Sequence, residues 1–159
     1  MPSSPAAGRG SDRRAAMHST EHILNAIMQR DFGTGRSVEV HLGERKSKCD
    51  YRVERALEED DLRKIAVAVN AEIAKDLPVT TFVVSRAEAE DRYDMGKVPA
   101  DTEAIRIVKI GELDAIPCIG GHVERTSQIG RFEIASAEMR STNQVRIRFR
   151  LHDQAGTTP

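Results

Sequence analysis

This sequence predicts an α+β fold, a single two-layer domain with helices packed on an antiparallel, curved β-sheet. Three observations lead there. Two long segments carry apolar residues at helical spacing, and several shorter ones alternate or run apolar over strand lengths. The strands follow one another in hairpins and meanders, without the regular strand–helix–strand alternation of a parallel sheet. Length agrees, because 159 residues with 39% apolar side chains suit one ordinary core. Trp is absent and aromatics are only 4%, so that core must be built from Ile, Val, Leu and Ala.

Residues 1–10 are mostly Pro, Ser, Gly and Ala, too poor in apolar surface to order themselves, and read as a flexible tail. Residues 154–159 read the same way, which leaves one domain over 11–153. The first helix is expected over 13–30, where Ala15, Met17, His18, His22, Ile23, Ala26 and Ile27 share its buried stripe. Ser11 and Asp12 can cap it, and Gly33-Thr34-Gly35 ends it. Val38, Val40 and Leu42 then alternate with Glu39 and His41. After a turn at Gly43-Glu44, Cys49, Tyr51 and Val53 alternate with Lys48, Asp50 and Arg52, which predicts a hairpin. The acidic run Glu58 to Asp61 suits the positive end of a second helix, whose stripe is Leu62, Ile65, Ala66, Val69 and Ile73 and which Pro78 stops.

Residues 79–84 form an apolar β-branched strand, and Ser85-Arg86-Ala87-Glu88 is a capping-box sequence for a short third helix. A loop follows over 91–101. A strand over 104–110 ends at Gly111 and delivers the chain to Pro117-Cys118. Two last strands are expected over 131–139 and 144–151, with Val145, Ile147, Phe149 and Leu151 inward against Arg146, Arg148 and Arg150 outward.

Chemistry concentrates in two four-residue spacings about a hundred residues apart: His18-Ser19-Thr20-Glu21-His22 and Cys118-Ile119-Gly120-Gly121-His122. On a helix, an i,i+4 step turns through about 400°, so both imidazoles of the first pair leave one face. In the second, Pro117 and two glycines suit a turn that folds a thiolate and an imidazole toward a common point. One zinc ion could join the pairs, since it accepts this ligand mix. The other thiol, Cys49, reads as a reduced, half-buried strand residue. There is no apolar run near twenty residues and no signal-peptide stretch, so a soluble cytoplasmic protein is expected. A net charge of −1 excludes binding to nucleic acid by bulk charge alone; such contact needs a local basic patch.

These blocks resemble the second additional domain shared by threonyl- and alanyl-tRNA synthetases, and especially the alanyl-tRNA editing domain and its free-standing AlaX relatives. His18 to Leu24 looks like the family's His-x-x-x-His opening helix. Lys48-Cys49-Asp50-Tyr51 stands where the family has an Arg-Phe-Asp-Phe-like strand, and Val69-Asn70-Ala71-Glu72-Ile73 resembles its Val-Asn-x-x-Ile helix. Cys118 to Val123, followed by Thr126, Ile129-Gly130 and Phe132-Glu133-Ile134, resembles the alanyl branch. The alanyl motif has Thr where this chain has Gly121. A minimal, free-standing editing domain is expected, without a synthetase catalytic domain or the glycine-rich barrel of larger AlaX forms.

The resemblance implies hydrolysis of the ester in a mischarged tRNA, with serine or glycine on alanine tRNA as substrates. A pocket separates such small side chains by only about 1–3 kcal/mol, so a second, hydrolytic sieve is needed. It also implies a zinc ion held by His18, His22, Cys118 and His122. If all four bind, the shell is closed and positions substrate; if one is loose, a zinc-bound water becomes a nucleophile.

Substrate or tRNA contacts are sought at Thr34, His41, Gly120, Gly121, Arg146, Arg148 and Arg150. Each has a plainer alternative: turn chemistry for Thr34, an exposed strand face for His41 and the three arginines. Arg13 and Arg14 could bind the acceptor end or merely solubilise. Two rival functions also stand. His18-x-x-Glu21-His22 is the string of inverted zinc peptidases, with Glu21 as general base unless it is a solvent-facing helix residue. A noncatalytic zinc-stapled domain that binds tRNA or protein is the other.

Overall fold

The computed structural model describes residues 9–153, with side chains from residue 12 onward. The expected tails at 1–8 and 154–159 lie outside the described residues. Residues 9 and 10, read as tail, instead open the first helix, α1 (Arg9–Phe32), which is longer at both ends than the expected 13–30. Asp12 sits in its first turn and Arg30 in its last, matching the helix dipole. Gly33 follows at φ +65°, the left-handed conformation that lets a helix stop.

From Ala16 to Met28, α1 is buried apart from the half-buried His18. Met17, Ile23, Leu24, Ile27 and Met28 join the main core. The other face, Ser19, Glu21, His22 and Asn25, is polar and also buried, while Thr20, on the apolar side, donates its hydroxyl to Ala16 O (2.7 Å). Buried polar groups need partners, so this face must meet other polar groups.

Helix α2 (Glu59–Ala74) packs on α1 and brings Ile65, Val69 and Ile73 into the core, as its stripe predicts. Asp61 accepts a hydrogen bond from the Glu58 backbone N–H (2.8 Å) and pairs with both terminal nitrogens of Arg55, which hold its carboxyl down at about 2. Asp61→Ala should therefore cost about 1–2 kcal/mol, read by urea denaturation; an unchanged midpoint would contradict the capping role.

The strands divide into two antiparallel sheets rather than one. Four strands, β1 (Glu39–His41), β2 (Ser47–Arg52), β6 (Arg131–Ser141) and β7 (Gln144–His152), run in the order β1-β2-β7-β6. Three more, β3 (Val79–Ser85), β4 (Ala104–Ile110) and β5 (Asp114–Pro117), run β3-β4-β5. The short helix α3 (Arg86–Arg92) follows β3, capped as expected by Ser85 Oγ, which accepts from Glu88 N–H (3.2 Å). Its Ala89 joins Ile105 and Ile107 in a second, smaller core.

The expected inward face of the first hairpin strand is absent: Val38 and Val40 are exposed, because β1 is a short edge strand. Cys49, expected half-buried, is fully buried in the core, and burial pushes its thiol far up. Asp50, on the opposite face, is also buried, held by Arg146 and Gln144. Sequence reading missed β5 and a 3₁₀ turn at Thr126–Ile129. The Thr126 hydroxyl accepts from Leu77 N–H (2.8 Å) and so ties that turn to the end of α2.

Candidate metal centre

The polar face of α1 meets the loop that leaves β5. Cys118 N–H donates to Arg106 O (3.0 Å) on β4, and the Arg106 guanidinium donates to the carbonyls of Cys118 (2.8 Å) and Gly120 (3.0 Å). Farther along, Val123 N–H donates to Ser19 Oγ (3.1 Å) on α1. One arginine and one serine thus pin the loop between sheet and helix. Glycine at 120 permits this close approach, since a Cβ would clash with the His18 ring and force it or the loop to shift.

The result brings His18, His22, Cys118 and His122 together, each with one donor atom within 4.8 Å of every other. Sγ of Cys118 lies 3.3 Å from Nε2 of His18 and 3.5 Å from Nε2 of His122. Burial opposes charge on this thiol, yet the His122, His18 and His22 imidazoles around it bring it down to about 3, so it is a thiolate at neutral pH. Burial likewise opposes charge on His22, but Asp114, Cys118 and Glu21 raise it to about 9. Burial, together with the neighbouring histidines, lowers His122. A thiolate and three imidazoles facing one point are a donor set suited to zinc.

Groups behind the imidazoles fix which nitrogen faces that point. Nδ1 of His122 lies 3.0 Å from Ser19 Oγ. Nδ1 of His22 is buried without a well-aligned hydrogen bond, and Asp114 Oδ2 lies 3.4 Å from it. Asp114 is itself clamped by Arg36 (3.0 and 3.4 Å) and held below the usual carboxylate range; burial opposes this, and His22 and Arg36 outweigh it. A carboxylate behind a histidine selects the tautomer whose other nitrogen is free for a metal. Asp114→Asn should weaken metal binding by about 10–100-fold in chelator competition, and unchanged affinity would contradict this role.

A cleft of about 640 Å³ opens over the cluster, lined among others by Arg14, His18, Leu42, Glu44, Gly121 and His122. A Cβ at Gly121 would meet nothing within 4 Å, so the cleft has room where a side chain could stand. Gly120 lies beside His18, whereas Thr34 and His41 are not among the lining residues. The Thr34 hydroxyl donates to Gly35 O (2.7 Å), within its own turn. His41 lies at a separate shallow groove on the β1 edge. The arginine strip of β7 is paired along its length: Arg146 with Asp50 and Glu39, Arg148 with Glu138 (3.7 Å), Arg150 with Glu133 (3.8 Å). Arg14 lies 3.5 Å from Glu44 at the cleft, and Arg13 is exposed.

Glu21 is not solvent-facing. It is buried among the ligands, with Oε2 accepting from Asn25 Nδ2 and from Ser37 Oγ (3.4 Å), while Asn25 Oδ1 accepts from Tyr51 (2.7 Å) and Ser37 N–H (3.2 Å). Sequence reading missed Ser19, Asn25, Arg36, Arg106 and Asp114. Asn25 alone left a signal, being one more polar residue at helical spacing after His18 and Glu21.

Residues 105–148, which include Cys118 and His122, match the profile of the Threonyl and Alanyl tRNA synthetase second additional domain. The alignments with individual proteins are longer. An alanine–tRNA ligase from Methanoculleus marisnigri is 33% identical over 130 residues, covering 76% of this chain. The alanyl-tRNA editing protein AlaX-L from Pyrococcus horikoshii is 30% identical over 137 residues, or 84% of the chain. The chain belongs to the threonyl and alanyl tRNA synthetase second additional domain family. This second additional domain spans 14% of that ligase and 32% of AlaX-L. Among its described residues, no helix is long and apolar enough to cross a membrane.

Proposed function

We propose that this second additional domain is a zinc-containing, trans-acting aminoacyl-tRNA deacylase of the cytoplasm, which hydrolyses the ester of seryl- or glycyl-tRNA for alanine. The observation that carries the reading is the convergence of His18, His22, Cys118 and His122 beside an open cleft, in a domain related to an alanyl-tRNA editing protein. Bound zinc would supply a Lewis acid toward the ester or its attacking water.

The protein's own groups do the rest. Ser19 and Asp114 hold the imidazoles of His122 and His22 with Nε2 toward the metal. Arg106 fixes the Gly120 carbonyl and with it the wall of the cleft. Gly121 leaves that wall low, and substrate is held beside it by shape and backbone without a hydroxyl at this position. The terminal ribose and phosphates of tRNA enter past Arg14, whose pairing with Glu44 is exposed and easily exchanged.

The buried position of Glu21 beside two histidines also favours the peptidase reading, in which it is the general base. That reading gives no part to Cys118 and His122 as metal donors. One panel separates the two: mischarged seryl- and glycyl-tRNA, correctly charged alanyl-tRNA, and a peptide mixture. The expected result is loss of serine and glycine with alanyl-tRNA surviving. Peptide cleavage that depends on Glu21, with every tRNA intact, would establish the peptidase; inertness toward all would leave a noncatalytic binding domain.

A further inference from the structure

We infer that Glu21 is a fifth donor to the metal, a carboxylate ligand added to the three histidines and Cys118; this rests on the metal part of the reading above. Its Oε1 lies 3.9 Å from Nε2 of His18 and 3.9 Å from Nε2 of His22. The carboxylate therefore faces the point between the two imidazoles where their shared cation belongs. A zinc ion held by both nitrogens would have this oxygen beside it, and zinc accepts carboxylate oxygen together with imidazole and thiolate.

A further observation supports a ligand over a mere helix anchor. The hydrogen bonds from Asn25 and Ser37 both fall on Oε2, which fixes the carboxylate and leaves Oε1 turned toward the cluster. Metal-binding carboxylates are commonly held this way by a second set of polar groups.

Five donors also resolve the choice between a closed and an open shell. A carboxylate is the donor most easily exchanged, so Glu21 can yield its position to water or to the substrate ester while His18, His22, Cys118 and His122 stay bound. The site then needs no loose histidine to become reactive.

Cobalt(II) replacing zinc tests this on the whole chain, because its visible bands are weak in five-coordinate sites and strong in tetrahedral ones. The wild-type protein is expected to show the weak bands together with thiolate-to-cobalt charge transfer from Cys118. In E21Q the bands should intensify while the charge-transfer band remains, and cobalt affinity in chelator competition should fall about 10–100-fold. Tetrahedral bands in the wild type, with the same spectrum and affinity in E21Q, would overturn the inference. Should E21Q fail to fold, E21D, whose shorter side chain withdraws the carboxylate, takes its place, and an unchanged spectrum and affinity there would likewise overturn the inference. No step involves tRNA, so the five-donor site stands or falls separately from the deacylase reading.

Discussion

Cys118→Ala combined with His122→Ala should strip the metal and lower deacylation on the order of 100-fold or more. These two residues supply the donors of the β5 loop; without them only groups on α1 remain, and one helix face cannot enclose a cation. The thiolate matters most. Three imidazoles already hold Cys118 ionised, so metal binding need not remove its proton, whereas His22, raised to about 9, must surrender one at neutral pH. Loss of the metal also loosens the loop, leaving Ser19 on α1 and Arg106 on β4 as its remaining ties. Elemental analysis beside deacylation assays checks this, with circular dichroism to show that the helices survive. Full activity in a folded, metal-free double variant would remove the metal from the mechanism.

Gly120→Ala carries the next largest effect, and Gly121→Ala is its control. A methyl at 120 would clash with Cε1 and Nδ1 of His18. Either the imidazole swings away from the cluster or the loop held by Arg106 shifts; both break the four-donor arrangement. A loss of roughly 100-fold in metal affinity is expected, at the upper end of what supporting groups contribute. At 121 the same methyl enters open space, so metal content should stay at the wild-type level while rates on serine and glycine esters change. Equal affinity in Gly120→Ala and wild type, by chelator competition, would contradict the close approach of loop and helix.

Much of this was legible because period and spacing are local properties. The stripe of α2, the Ser85 cap, the β6–β7 hairpin and the two ligand pairs follow from residues a few positions apart. The missed parts depend on contacts between distant segments. The His18-x-x-Glu21-His22 string marks Glu21, but its burial shows only once Ser37 and the histidines close around it, and nothing in Gly111-Glu112-Leu113-Asp114 sets Asp114 apart from Glu112. The arginines of β7 alternate as expected, but only the register between strands reveals that Asp50, Glu138 and Glu133 pair with them. Val38 and Val40 failed for the complementary reason: alternation marks a face, and an edge strand need not have anything packed on it.

The most direct test of the account follows seryl-tRNA for alanine through one cycle of metal removal and return, with alanyl-tRNA in parallel. The account predicts that the as-purified protein releases serine and spares alanine, that chelation abolishes release, and that one equivalent of zinc restores it. Serine release at an undiminished rate from metal-free protein, or equal release of alanine, would contradict it.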